Sequence, residues 1–149
     1  MKNILVVILC TAILLLSGCA KVEENIDMKD EDIQVIEFSE EDDAKYIGEY
    51  LDSDVNEPNL EIAKDEDGKY IVQIGIYRLT SLEDGIGELT EEGMVFTATD
   101  AAGNPISGII TVDDEIATVT FTDSTWDLLE NGSSFVYSKS SDEPNVWME

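Results

Sequence analysis

Chemistry in this chain has to come from carboxylates, because the side chains that most often supply it are missing. There is no histidine. That removes the usual general base, the commonest metal ligand and all Ser-His or Cys-His nucleophile arrangements. Asp and Glu number 34 against 8 Lys and Arg. Paired acids hydrolyse glycosides when held about 5–10 Å apart in a cleft. Among so many acids some pair always meets that distance, and here they concentrate in turns, which offer little cleft. Nothing reads as Ser-x-x-Lys, so no catalytic residue is assigned. Asp52-Ser53-Asp54-Val55-Asn56 opens like a calcium loop, in which alternate oxygens converge on one hard cation. The pattern then fails: Glu57 stands at the glycine position and Ala63 at the twelfth, where a bidentate Glu belongs. The reading is a solvated acidic loop with no assigned metal site and no cofactor; a weaker calcium contact by clustered carboxylates is the alternative.

One thiol stands apart. Lys2 precedes thirteen residues, Ile4 to Leu16, broken only by Cys10 and Thr11, and small residues follow. A charged start, a short apolar middle and a small-residue end make a signal peptide over 1–18. The run falls short of the roughly 20 apolar residues a membrane span needs. Its end, Leu16-Ser17-Gly18-Cys19, resembles the lipobox of bacterial lipoproteins at all four positions. The resemblance covers the first nineteen residues. It implies that Cys19 is joined to a diacylglycerol, that the peptide before it is cut, and that the acylated (palmitate-bearing) cysteine becomes the first residue. The expected location is the extracytoplasmic face of the cell membrane.

Removing 1–18 takes away one lysine and no acid, so the formal charge moves from −26 to −27. Nucleic acid is excluded as a partner, since its binding depends on Lys and Arg neutralising phosphates. Anionic headgroups are repelled as well, which leaves acyl chains to hold the protein to the bilayer. Each buried CH₂ contributes about 0.8 kcal/mol, and two chains anchor stably where one is marginal. The charge attracts metal ions or basic proteins, by steering that weakens with salt. With Cys10 in the discarded run and Cys19 alkylated, the mature domain has no disulfide and must be held by its core.

Residues 19–43 read as the lipidated cysteine and an acidic linker, self-repelling and extended, with a short amphipathic helix through Val22, Ile26 and Met28 as the alternative. Ile33 to Phe38 holds no single period, and Ser39-Glu40-Glu41-Asp42-Asp43 interrupts it. From Ala44 the chain becomes short alternating segments separated by turns about every eight to twelve residues, the pattern of an all-β barrel or sandwich. They are Ala44–Leu51, Leu60–Lys64, Lys69–Arg78, Ile86–Thr90, Met94–Asp100, Ile106–Val112, Ile116–Asp123 and Phe135–Ser138. Leu79–Asp84 reads as a loop. Gly68 suits the positive φ of a hairpin connection, and Gly75 suggests a bend or bulge. No convincing helix follows the signal. The fold expected over 44–140 is a small antiparallel meander of about eight strands curled into a β-barrel, with a tail over 141–149.

Tyr46, Tyr50, Tyr70, Tyr77, Trp126 and Tyr137 either line a barrel mouth and stack on a ligand or fill the core with their polar tips wet. Core packing is the favoured reading. The ligand-contact candidates are Tyr46, Tyr50, Tyr77 and Trp126, with Trp147 in the tail a further one. The build is similar to lipocalin-like barrels, which bind small apolar ligands; their Gly-x-Trp appears here as Gly48-Glu49-Tyr50. It is also similar to membrane-bound inhibitors of C-type lysozyme. Of their Ser-Gly-x-x-Tyr loop, the segment Ser107-Gly108-Ile109-Ile110-Thr111 keeps the first two residues and lacks the tyrosine. The expected function is a monomeric, lipid-anchored, non-catalytic binding module for a small ligand or surface partner. The alternatives are an inhibitor of a cationic hydrolase such as lysozyme, docking through Asp52, Asp54, Glu57 and Asp65 to Asp67, and a purely structural envelope component.

Overall fold

A computed structural model describes residues 38–53, 59–76 and 78–146. The signal peptide, Cys19, the linker up to residue 37, Asp54, Glu57, Tyr77 and Trp147 lie outside the described residues. A helix, α1 (Glu40–Tyr46), precedes β1 (Gly48–Leu51), β2 (Leu60–Lys64), β3 (Tyr70–Ile76), β4 (Thr80–Thr90), β5 (Gly93–Thr99), β6 (Pro105–Asp113), β7 (Ile116–Asp123) and β8 (Ser134–Ser141). Each strand pairs antiparallel with the next, and β8 returns to β1 with Lys139 opposite Tyr50. The result is the expected all-β meander closed into a barrel. Among the described residues, closure leaves no unpaired edge strand to template association, which matters for strands this rich in β-branched residues.

Period-two alternation positions the core. Tyr70, Val72, Ile74 and Ile76 of β3 are buried in turn, as are Met94, Phe96 and Ala98 of β5 and Ala117, Val119 and Phe121 of β7. The inward side chains form one contiguous cluster that also takes in Tyr50, Leu129 and Tyr137. At its centre Phe96 meets Phe121 edge to face, with ring centroids 5.6 Å apart, and Phe121 meets Phe135 at 6.1 Å. Each fully buried large apolar side chain contributes roughly 1.5–3 kcal/mol, so the closed wall and its filling stabilise each other.

Three expectations are corrected. The first concerns the absence of a helix after the signal, since residues 40–46 are helical and β1 begins only at Gly48. Ser39 caps α1: its hydroxyl accepts from the Asp42 amide at 3.3 Å, while the Asp42 carboxylate accepts from the Ser39 amide at 2.8 Å. This reciprocal box satisfies two amides otherwise left without partners, and Glu40 and Glu41 add favourable charge at the N-terminal end. The five polar residues from Ser39 to Asp43 are thus a cap and a first turn. Seven residues are too few for an isolated helix, so contacts with the barrel hold α1 in place.

The second correction concerns Leu79–Asp84, expected as a loop: only Leu79 belongs to the turn, and β4 begins at Thr80. Val72 faces Gly85 and Ile74 faces Leu82, so two steps along β3 match three along β4. The extra residue leaves both Glu83 and Asp84 exposed between buried Leu82 and Gly85. A bulge of this kind breaks the period of two, which is why alternation alone reads as a loop. Gly75 lies in register opposite Ser81, so the irregularity belongs to β4. The third correction is at the end of the chain, where β8 continues to Ser141, paired with Glu49.

Gly68 has φ of 82° in the β2–β3 turn, as a hairpin connection requires. Gly108 answers a close approach: a Cβ there would stand 2.4 Å from the Thr120 carbonyl oxygen and 2.6 Å from the Phe96 ring. Among the described residues, no helix is long and apolar enough to cross a membrane.

Candidate functional site

An antiparallel meander has two ends. The turns after β2, β4 and β6 share one end with α1, and the loops after β1, β3, β5 and β7 share the other. The three described aromatic candidates, Tyr46, Tyr50 and Trp126, divide between these ends. Tyr46, the last residue of α1, is 7% exposed, and Tyr50 is fully buried. The Tyr50 hydroxyl donates to the Tyr46 carbonyl at 2.7 Å and to that of Lys45 at 3.2 Å. Burial pushes its pKa up, with the charge of Asp142 and the nearby Tyr46 adding to the rise, so it stays a neutral donor. Trp126 sits at the opposite end, half-buried against the core, and Tyr77 lies outside the described residues. Tyr46 and Tyr50 therefore come together as packing groups, while Trp126 remains partly open to a partner.

α1 is fastened to the wall through side chains that carry no motif. Asp43 accepts from Lys64 of β2 at 2.5 Å and from the hydroxyl of Tyr70 of β3. Lys139 of β8 donates to the Ala44 carbonyl at 3.0 Å and pairs with Asp142 at 2.8 Å. For the Asp43 carboxyl, burial opposes ionisation. The hydrogen bonds from Lys64 and Tyr70, with the Lys64 charge, outweigh it and hold the pKa below the ordinary carboxylate range. Of these contacts only the Ser39-x-x-Asp42 box has a sequence signature. The Asp43–Lys64 pair spans 21 residues and leaves none.

The loop from β7 to β8 is pinned from within. The Ser124 amide donates to Asn131 Oδ1 at 2.7 Å, the Trp126 amide to Ser124 Oγ at 3.1 Å, and the Leu129 amide to the Trp126 carbonyl at 2.9 Å. Leu129 is fully buried beneath it, whereas Leu128 is 67% exposed at the tip. In the interior Tyr137 is 1% exposed, and its hydroxyl donates across the barrel to the Gly75 carbonyl at 3.2 Å. Burial, then the charge of Asp52, pushes the Tyr137 pKa up.

The carboxylates fall into two groups. Some are parts of the scaffold. Asp65 accepts from the Asp67 and Lys69 amides at 3.0 and 2.8 Å and closes its hairpin, and Asp84 accepts from the Thr99 amide at 2.8 Å. Asp100 accepts from the Ala102 and Asn104 amides, both at 2.8 Å, and the Asn104 bond leads in lowering its pKa. Others face solvent in the turns of the α1 end: Glu66 and Asp67, Glu91 and Glu92, Asp114 and Glu115. Among the described residues, no three acids or cysteines converge in a way that could hold a metal ion. Asp52 and Ser53 of the calcium-like segment are described, and residues 54–58 lie outside.

Fold and surface together define a closed eight-stranded antiparallel barrel with a short helix fastened to β1, β2, β3 and β8 and acids in its turns. The chain matches no protein-family model, no curated protein and no solved structure.

Proposed function

We propose that the protein is a non-catalytic binding module, anchored through acylated Cys19 to the extracytoplasmic face of the cell membrane, that meets a cationic partner on its outer surface. One observation carries the choice of an outer surface over a small ligand held inside. The barrel interior is occupied by the chain's own side chains, with Tyr50, Phe96, Phe121 and Tyr137 at 0–1% exposure. Both buried hydroxyls among them already donate to backbone carbonyls. The exposed carboxylates of the α1 end support a basic partner, since like-signed clusters in a protein of large net charge accelerate encounter with the opposite sign. The segment from Cys19 to residue 38 reaches up to about 65 Å when extended, which leaves room for a partner beside the membrane.

Two measurements test this. Radiolabelled palmitate supplied to bacteria expressing the full chain should enter the protein, and Cys19→Ser should abolish incorporation; an unacylated product with an intact leader overturns the anchor. A basic lysozyme serves as the cationic probe. It should bind the membrane-displayed chain at physiological salt and be lost when Glu91, Glu92, Asp114 and Glu115 are neutralised to Gln and Asn. Unchanged binding by that variant, or no binding by the native chain, overturns the acidic surface as the site. Inhibition of the probe's activity would narrow the reading to a hydrolase inhibitor.

A further inference from the structure

Past its last strand the chain turns back onto the barrel. β8 ends at Ser141, which faces Glu49 of β1, and Glu49 faces Glu61 of β2. Four residues beyond Ser141, the Asn145 amide donates to Glu61 Oε2 at 2.7 Å. Two strand spacings are about 10 Å, so residues 142–145 run across the strands, over the outside of β1. They are fastened on the way. Lys139 pairs with Asp142 at 2.8 Å, and the Ser141 hydroxyl accepts from the Glu143 amide at 2.9 Å and donates to the Glu143 carbonyl at 3.1 Å. Pro144 and Val146 are half-buried, and so is Glu61 although it faces outward. Burial pushes the Glu61 pKa up, the Asn145 bond opposes this, and the charge of Glu49 adds to the rise.

Beyond β2 the same wall turns apolar. Ala63, two residues from Glu61 on its face, stands opposite Ile71 of β3, and Ile71 stands opposite Ile86 of β4. Ala63 is 8% and Ile86 40% exposed. One open isoleucine on a surface asks for no partner; what distinguishes this one is the segment that advances towards it. Next in the chain after Val146 are Trp147 and Met148. Two residues from Asn145 reach up to about 7 Å, and β3 lies about 5 Å past β2. An indole at position 147 is therefore long enough to cover Ile71 and, one strand spacing further, Ile86. Aromatic rings beside β-branched side chains are a favourable pairing on a sheet face. Glu88, two residues from Ile86 and exposed on the same wall, offers an acceptor for the indole N–H, which seeks one when covered.

We propose that the C-terminal segment is a strap laid across the outer wall of β1 to β4, anchored by Trp147 packed on Ile71 and Ile86, with the Asn145–Glu61 bond as the latch behind it. The occupant of this wall is then the chain's own tail, and capture of a basic partner is left to the turns of the α1 end. The contact needs neither acylation nor a partner, so its failure would leave the function proposed above untouched.

The test uses the full chain purified in detergent, with Trp126→Phe leaving Trp147 as the sole indole, and reads the emission maximum and its quenching by acrylamide. A peptide of residues 142–149 supplies the values for an indole open to solvent. In the protein the emission should lie to the blue of the peptide's and quenching should be weaker. Ile86→Glu should return both to the peptide values, as should Glu61→Ala, which removes the latch; Val95→Glu, on the outer wall of β5, should change neither. Ile71→Glu takes the place of Ile86→Glu should that variant fail to fold, judged by circular dichroism. Peptide-like emission with the wall intact, or protection that survives loss of the isoleucine or of the latch, as insertion into detergent would give, would each overturn the proposal.

Discussion

The Tyr50 hydroxyl donates to the Tyr46 carbonyl at 2.7 Å, so the first strand of the barrel closes the last turn of the helix before it. The final carbonyls of any helix lack intrahelical donors. Here the donor is a ring that is itself fully buried in the core, so helix cap and barrel plug are the same group.

Replacing that hydroxyl tests the arrangement at constant shape. Tyr50→Phe should cost about 1–2 kcal/mol, the range for removing one partner of a buried hydrogen bond. Tyr137→Phe, whose bond to Gly75 is longer at 3.2 Å, should cost less. Urea unfolding followed by circular dichroism measures both, and equal or absent losses would contradict the assignment.

Acid should loosen the fastening of α1. The Asp43 pKa lies below its ordinary value in the folded state: burial opposes ionisation, but the bonds from Lys64 and Tyr70 outweigh it. A depressed carboxyl contributes stability that is present above its unfolded value, near pH 4, and is lost as pH falls through the folded value. Asp43→Asn should therefore be less stable than the native chain at pH 7. The gap should close below about pH 4, as measured by urea midpoints across pH. Asp84 and Asp100, also depressed, remain in both proteins and cancel in the difference, whereas the charge of neighbouring Asp42 acts on Asp43 and reduces the gap.

Two glycines should respond very unequally to the same added methyl. Gly108→Ala drives a Cβ to within 2.4 Å of the Thr120 carbonyl oxygen and 2.6 Å of the Phe96 ring, and overpacking of this kind costs about 1–3 kcal/mol. At Gly75 the nearest atom, the Asn59 carbonyl oxygen, is 3.5 Å away. Gly75→Ala should change stability by no more than about 0.5 kcal/mol. Paired thermal melts decide it.

The aromatic centre should be the costliest place to cut. Phe121 is fully buried and touches both Phe96 and Phe135 edge to face. Phe121→Ala should lose about 3–5 kcal/mol, and Phe121→Leu distinctly less because the residual cavity is smaller. Equilibrium unfolding distinguishes the two, and a loss under 1 kcal/mol for Ala would mean the interior is looser than its packing indicates.

Much of the barrel was legible because period-two burial is local. Ala117, Val119 and Phe121 announce an inward face without reference to any other strand, and the turns between strands announce a meander. The legibility failed where that period was broken or too short to see. The extra residue at Glu83–Asp84 hid half of β4, and α1 was hidden because its seven residues hold less than two full periods, although Ser39 and Asp42 spelled its cap.

What the amino-acid order determined by itself is therefore the set of strands, their inward faces and the acidity of their turns, all of which depend on neighbours a few residues apart. Tertiary structure alone decided that Asp43 meets Lys64 and Tyr70, and that Tyr137 reaches Gly75 across 62 residues. These pairings follow from closure of the ring, which sets which distant residues share an end or a wall, and no local pattern encodes that sharing.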